Sequence, residues 1–208
     1  VSTDGLPDIL FYMSGTIVWS YFSSCMVKTS NTFTGNANIF GKVYFPRIII
    51  PISLLFSNLI TFFVQFILFI FFMIYFYTKG FNINISLWFF MLPILLILMA
   101  CLGLAVGLVI SSLTTRYRDL QFLVTFGVQL IMYATTVIMP LSSVPEKYKW
   151  IILSNPMTPI IESFRLIFLG SGTVHILHIF YSISITLILL IFGLLIFNKI
   201  EQNFMDTV

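Results

Sequence analysis

Long apolar runs separated by short polar connections dominate the chain. The runs cover residues 9–27, 48–77, 87–113, 120–140 and 176–197. None of them contains Asp, Glu, Lys or Arg. A helix of about 20 apolar residues crosses a hydrocarbon core of about 30 Å. The pattern therefore predicts an all-α fold, a polytopic transmembrane helix bundle of about five spans that forms a single domain over residues 1–208.

Small residues recur along one face of the third run. Gly103, Gly107 and Ser111 are spaced by four positions, and this spacing lets a second helix approach closely. Asp119, just before the fourth run, is placed to cap the helix that starts at Leu120. These features predict helix packing and helix starts, and they carry no function by themselves.

Residues 144–170, VPEKYKWIILSNPMTPIIESFRLIFLG, interrupt the series of full-length runs. Pro145 can open a helix in its first turn, and Asn155-Pro156 breaks it because the residue before a proline disfavours helical geometry. Gly170 is a helix-stop residue. The stretch predicts two short helices, over about 146–154 and 158–169, of which the first is too short to span.

Composition places the chain among integral membrane proteins, because 59% of its residues are hydrophobic and only 8% are charged. The formal net charge of +3 is informative about orientation and points to no nucleic-acid partner. Lys and Arg concentrate in cytoplasmic loops. Six of them lie in connections on one side of the predicted membrane, namely Lys28, Lys42, Arg47, Arg116, Arg118 and Lys199. That side, which includes the C-terminus, is predicted to be cytoplasmic, and 144–170 lies outside.

The spans offer neither an ion-coupling group nor a catalytic constellation. An ion-driven carrier keeps a titratable or anionic ligand within the membrane, whereas the five runs contain no Asp, Glu, Lys or Arg, and their one histidine, His178, lies at the start of the last. His175 and His178 have no nearby carboxylate or cysteine partner, so we expect a polar edge there and no metal site. Cys25 and Cys101 lie in apolar runs, and no disulfide is expected. A transporter of this kind would draw its energy from a partner.

Three stretches together carry a family resemblance: GNANIFGKVYFPRIIIP, SSLTTRYRDLQFLV and IMPLSSVPEKYKWIILSNPMTPIIESFRLIFLG. In order and spacing they resemble the membrane (permease) subunits of bacterial polysaccharide ABC exporters of the ABC-2 type, which move lipid-linked O-antigen, capsule or teichoic acid chains. The resemblance extends from about Leu10 to Asp206. It implies six spans, so the five counted here lead us to expect that an N-terminal region, including the first span, is missing.

The resemblance also implies how such a chain works. It would form half of a homodimer in the bacterial cytoplasmic (inner) membrane and move a lipid-linked polysaccharide outward. A separate ABC ATPase subunit would bind ATP and Mg²⁺, so the chain itself would be neither an enzyme nor a cofactor-binding protein. Two alternatives stay open: an ABC efflux permease for drugs or small lipids, and a membrane-embedded transferase acting on lipid-linked sugars.

For the cytoplasmic side, the resemblance implies that residues 29–47 form the coupling element that docks on the ATPase. Candidate contacts there and at the following cytoplasmic turn are Phe33, Asn36, Asn38, Phe40, Lys42, Arg47, Arg116, Arg118 and Asp119. The residues themselves allow another interpretation, in which Lys42 and Arg47 meet lipid phosphates. The basic residues of the RYRD turn would also satisfy membrane topology alone.

For the outer side, the resemblance implies that residues 144–170 form a re-entrant hairpin of these two short helices, with a gate or substrate path along it. Its candidate residues are Tyr148, Trp150, Asn155, Pro156, Glu162 and Arg165. Glu162 and Arg165, three positions apart, can meet on one helix face, either as an exit gate for glycan or as a purely structural pair. Tyr148 and Trp150 could stack on sugar rings or anchor the chain at the membrane interface.

Overall fold

The computed structural model describes residues 3–36, 46–81, 87–115, 117 and 119–205, all helix or connection without a strand. Eight α-helices occur in these ranges: α1 (Asp8–Ser30), α2 (Thr32–Gly35), α3 (Ile49–Thr78), α4 (Leu92–Thr114), α5 (Leu120–Tyr133), α6 (Glu146–Leu153), α7 (Met157–Leu169) and α8 (Ile176–Met205). Short 3₁₀ helices cover Leu87–Met91 and Leu141–Ser143. The predicted all-α helix bundle is confirmed.

Three of the predicted spans are helices that are long and apolar enough to cross a membrane. They cover Ile49–Thr78, Trp88–Thr114 and Ile176–Ile200. The first and third of these helices are mostly exposed. In their most apolar 18-residue stretches, only 22% and 17% of the residues are buried. Such surfaces suit lipid or another hydrophobic partner, because water would not tolerate so large an apolar area.

Helix α1 forms the centre of the bundle, where it packs against α3, α4 and α7. It has 23 residues, about 35 Å at 1.5 Å per residue, so it is long enough to span. Its polar side chains are accommodated because they bond to their own helix, as when the Ser14 hydroxyl donates to the carbonyl of Phe11 at 2.7 Å. Protein surrounds this helix, so it needs less apolar surface than its neighbours.

Helix α4 lies between α1 and α8 and touches both at glycines. A Cβ on Gly103 would lie 2.9 Å from the Cβ of Cys25, and one on Gly107 would lie 2.6 Å from the Cβ of Thr29. A Cβ on Gly193 of α8 would lie 2.8 Å from the carbonyl oxygen of Ala105 in α4. The predicted packing face of the third span is therefore confirmed, and its partner is α1.

Antiparallel neighbours gather the connections at two opposite ends of the bundle. At one, which we call the Lys28 end, the Lys28 ammonium donates to Asn58 Oδ1 at 2.6 Å. The Thr114 hydroxyl there donates to the carbonyl of Ser30 at 3.0 Å. At the other, the hairpin end, the Ser142 hydroxyl donates to Asp4 Oδ1 at 2.6 Å.

The fourth predicted span is wrong in length. Helix α5 has 14 residues, about 21 Å, and ends at Tyr133, whereas the apolar run continues to Pro140 as turns. The segment after Tyr133 disfavours a helix: residues 135–137 are β-branched, and Pro140 has no N–H for the carbonyl of Thr136 and would clash with it in a helix. The predicted cap is also wrong, because Asp119 occupies the N-cap position of α5 without a side-chain cap hydrogen bond.

Substituting Gly107 by Ala should destabilise the bundle, because the new Cβ would overlap Thr29 across the α1–α4 contact. Overpacking of this kind costs about 1–3 kcal/mol. The matched control is Gly127→Ala in α5, where a Cβ meets nothing within 4 Å. We expect thermal unfolding of the detergent-solubilised protein to move to lower temperature for the first variant alone; equal behaviour of the two would contradict close α1–α4 packing.

Candidate functional site

The predicted hairpin of two short helices is confirmed. Helix α6 ends at Leu153, α7 begins at Met157, and the Asn155-Pro156 pair lies in the break between them. Asn155 Oδ1 accepts the backbone N–H of Met157 at 3.0 Å, so this side chain fixes the start of α7. Gly170 ends α7 with a φ of 67°, a left-handed conformation that glycine adopts without strain.

The tip of the hairpin is bonded to the side of α8. The Tyr181 hydroxyl donates to the carbonyl of Ser154 at 2.8 Å, and the Ser182 hydroxyl donates to that of Pro156 at 2.6 Å. Helix α8 begins at Ile176, so these bonds lie about 8 Å along it at 1.5 Å per residue. The hairpin therefore folds back into the bundle.

The two helices of the hairpin have opposite environments. Helix α6 has no buried residue, and its Tyr148 and Trp150 are 51% and 68% exposed. In α7 every residue except Leu166 is buried. Tyr148 and Trp150 are thus accessible for an interface or a ligand, whereas α7 is part of the core.

Phenylalanines in edge-to-face and tilted contacts hold α7 against α3. Phe66 of α3 meets Phe168 at a ring-centroid distance of 5.3 Å, and Phe69 meets Phe164 at 5.7 Å. Phe164 and Phe168 are themselves 4.7 Å apart. Edge-to-face aromatic contacts add to the stabilisation from burial, so one side of α7 is firmly attached.

The other side of α7 presents Arg165, which is 1% exposed. Its guanidinium donates through Nη1 to the carbonyl of Thr136, through Nη2 to that of Val137 at 3.0 Å, and through Nε to the Ser14 hydroxyl at 3.2 Å. It also lies over the ring of Phe11, with 3.8 Å between Cζ and the ring centroid. One side chain thus joins α7, α1 and the turn segment after α5, which covers residues 134–140.

Glu162 balances the charge of Arg165. Its Oε1 is 3.3 Å from Arg165 Nη1, and its Oε2 accepts the backbone N–H of Thr173 at 3.2 Å. The predicted pairing on one helix face is confirmed. Glu162 is only 2% exposed, so in this conformation the pair faces protein and lines no open path. Its role as a gate stays a prediction.

Several members of this cluster carried no signal of their own in the sequence. A Cβ on Gly15 would lie 2.9 Å from Arg165 Nη2 and 3.0 Å from the Cα of Val137, so glycine permits the contact. Pro140 was the one usable clue, because it leaves the Thr136 carbonyl without a helical donor. Only the tertiary structure shows that Arg165 supplies the replacement.

An apolar cavity of about 460 Å³ lies beneath the hairpin tip. Helices α1, α4, α5 and α8 provide most of its walls, and residues 154–157 of the hairpin line the rest. The apolar wall residues include Trp19, Phe22, Leu102, Val128, Ile131 and Ile185. This volume and a mostly apolar lining are typical of small-molecule sites.

At the Lys28 end, the coupling residues that the structure describes are largely occupied within the chain. Phe33 is 1% exposed and stacks on Phe197 at 4.7 Å between ring centroids, so its ring is not offered to a partner. The Asn36 amide donates to the carbonyl of Thr32 at 3.0 Å. Arg47 is buried, which disfavours a lipid-phosphate contact for it, whereas Asp119 is exposed. The other predicted contacts lie outside the described residues, namely Asn38, Phe40, Lys42, Arg116 and Arg118.

The two histidines lie at the hairpin end. The rings of His175 and His178 are 5.7 Å apart at the start of α8. Within the residues that the structure describes, no group of three His, Cys, Asp or Glu side chains could hold a metal ion.

Replacing Arg165 by Met should strongly destabilise the protein, because Glu162 would remain buried without its partner. Losing one member of a buried ion pair costs about 3–5 kcal/mol. Lys149→Met is the matched control: it breaks an i,i+3 pair with Glu146, which is 96% exposed, and exposed pairs contribute little. Equilibrium unfolding in mixed micelles measures both, and equal stabilities would contradict a structural role for the buried pair.

Comparison with known proteins identifies the family. The sequence profile of the ABC-2 type transporter family matches residues 2–169. The O-antigen export system permease protein RfbA of Klebsiella pneumoniae is 30% identical over 197 residues, covering 95% of this chain and 74% of the relative. A Myxococcus xanthus protein of the same name is 24% identical over 172 residues, covering 81% of this chain and 64% of that protein. The chain belongs to the ABC-2 type transporter family.

Proposed function

We propose that the chain is the membrane-spanning permease subunit of an ABC exporter that moves a lipid-linked polysaccharide outward across the bacterial cytoplasmic membrane. The observation that carries this proposal is the similarity to O-antigen export permeases over 95% of the chain and 74% of the relative. O-antigen, capsule and teichoic acid chains are the substrate types in view. Two copies of the chain would form the channel as a homodimer.

The composition of the spans supports an external energy source. None of the three long apolar helices contains Asp or Glu. Their Lys, Arg or His residues are His178, near the start of the third helix, and Lys199, next to its end. These three helices offer a proton or sodium ion no carboxylate ligand. A separate ATPase subunit, holding ATP and Mg²⁺, would therefore power the movement, and the chain itself would bind no cofactor.

The Lys28 end is the proposed contact with that ATPase, which places it and the C-terminus in the cytoplasm. Residues 29–47 provide polar and apolar side chains suited to a groove on a partner. Phe33, buried against Phe197, would act differently from the others, passing displacement of this segment to α8. Asp119, with Arg116 and Arg118 beside it in sequence, would add a second contact.

The hairpin end is the proposed outer gate, and its two helices would divide the work. The exposed Tyr148 and Trp150 of α6 suit either stacking on sugar rings or anchoring at the interface. The Asn155-Pro156 turn would be the hinge. Glu162 and Arg165 would hold the gate closed through their buried contacts.

The cavity beneath the hairpin tip favours a second candidate function. Its volume of about 460 Å³ and apolar walls would suit a drug-sized or small lipid molecule. In that case the chain would be an ABC efflux permease for such compounds. The relatives' names favour the polysaccharide.

Deleting the gene should abolish surface polysaccharide in its host and cause lipid-linked glycan to accumulate on the cytoplasmic side. Restoring the gene should reverse both effects, because export would be the blocked step. Immunoblotting of intact and lysed cells locates the glycan. Sensitivity to a panel of drugs provides the second arm: unchanged surface glycan with raised drug sensitivity would reject the polysaccharide and favour efflux.

Lys42→Glu should weaken the complex with the ATPase, since a charge reversal disrupts a docked polar contact. The matched control is Lys79→Glu, on the exposed residue that follows α3 at the hairpin end. Co-purification of the tagged ATPase measures binding, and we expect about a tenfold loss for Lys42→Glu alone. Equal binding of the two variants would reject Lys42 as a coupling contact.

A further inference from the structure

We infer that Arg165 is a positioning residue that latches the segment from α5 to α6, residues 120–153, against the bundle and releases it when the exporter opens. The inference rests on the proposed function and concerns the closed state of the same hairpin end. The moving part is residues 120–153. They are held where the turn after α5 meets α1, and they would move in addition to the hinge at Asn155-Pro156.

The latched segment has little attachment of its own. In α5 only Val128 is buried, and α6 has no buried residue. The remaining buried positions of the segment cluster between α5 and α6, at Thr135, Thr136, Val137, Pro140, Leu141 and Val144. Arg165 reaches this cluster. A segment held over so short a stretch can detach locally at a fraction of the free energy of global unfolding.

The backbone at the latch depends on a side chain for its hydrogen bonds. In a continuous helix the carbonyl of Thr136 would accept from residue 140, which is a proline without an N–H. Arg165 Nη1 donates to this carbonyl instead, and Nη2 donates to the next one at 3.0 Å. Irregular backbone in a membrane bundle persists only where such donors satisfy it.

The opposite wall of the latch is made of small groups on α1. Gly15 lets the Val137 backbone approach, with 3.0 Å from an ideal Cβ to the Val137 Cα. Ser14 gives the guanidinium an acceptor at 3.2 Å. The Phe11 ring also faces the guanidinium, and Val137 belongs to the buried hydrophobic core, so apolar packing adds to this polar contact. Moving the guanidinium away from the carbonyls of Thr136 and Val137 removes the polar part and lets the segment detach while the aromatic side of α7 stays packed.

The test measures access to Val137, which is 1% exposed. A Val137→Cys variant, in the full complex with its ATPase, is treated with a membrane-impermeant maleimide applied from the hairpin side. A separate Ile151→Cys variant reports reagent access, because Ile151 is 45% exposed. The parent protein, whose only cysteines are Cys25 and Cys101, gives the background labelling. At rest we expect the Val137→Cys variant to be labelled at least about tenfold more slowly than the Ile151→Cys variant.

During ATP-driven transport, labelling of the Val137→Cys variant should accelerate about tenfold, and a hydrolysis-deficient ATPase should prevent the increase. If the Val137→Cys variant exports polysaccharide while its introduced thiol stays unlabelled throughout, the latch proposal is wrong. Absence of export by the wild-type complex would instead reject the proposed function, so the two failures are distinguishable.

Two further substitutions, each combined with Val137→Cys, act on the latch from its two sides. Arg165→Lys keeps the charge but has a single ammonium in place of the guanidinium fork, and Gly15→Ala would push against Arg165 Nη2 and Val137. Each should expose the introduced thiol at rest, without ATP, while Lys149→Met should leave it protected. Protection of that thiol at rest in both folded latch variants would also overturn the proposal.

Discussion

A guanidinium removed from water must find acceptors in every direction, and the hairpin end is arranged to meet this requirement for Arg165. Three backbone carbonyls, one hydroxyl, one carboxylate and an aromatic face surround it. An unpaired charge at this depth would cost several kcal/mol or more. The surrounding structure therefore has to bring α1, α7 and the turn segment after α5 together.

Features that look unrelated in the sequence follow from that requirement. Helix α1 can be less apolar than the other long helices because it is enclosed by protein, and its Ser14 and Gly15 serve the Arg165 contact. Helix α5 ends before the β-branched residues 135–137, and Pro140 stops any helix from continuing past them. Arg165 satisfies the backbone that is left. Phe164 and Phe168, on the same helix as Arg165, secure its other side to α3.

The same central helix connects the two ends of the bundle. At its Lys28 end, α1 meets α3 through the bond from Lys28 to Asn58, and α4 through the bond from Thr114 to Ser30. At its other end it meets Arg165. In the proposed exporter, a displacement imposed by the ATPase would reach the hairpin along a single continuous helix, with the Gly103 and Gly107 contacts keeping α4 aligned with it.

The sequence alone determined the fold class, the long apolar helices, the close-packing face of α4 and the hairpin with its break at Asn155-Pro156. These features are local, because hydropathy, helix stops and residue size act over one or two turns. It also predicted that Glu162 and Arg165 pair, since they share a helix face. Tertiary structure alone decided that this pair is buried, that Thr136 and Val137 receive the guanidinium, and that Phe33 faces Phe197. Those contacts join residues up to about 160 positions apart, and their energies depend on desolvation, which is a property of the assembled bundle.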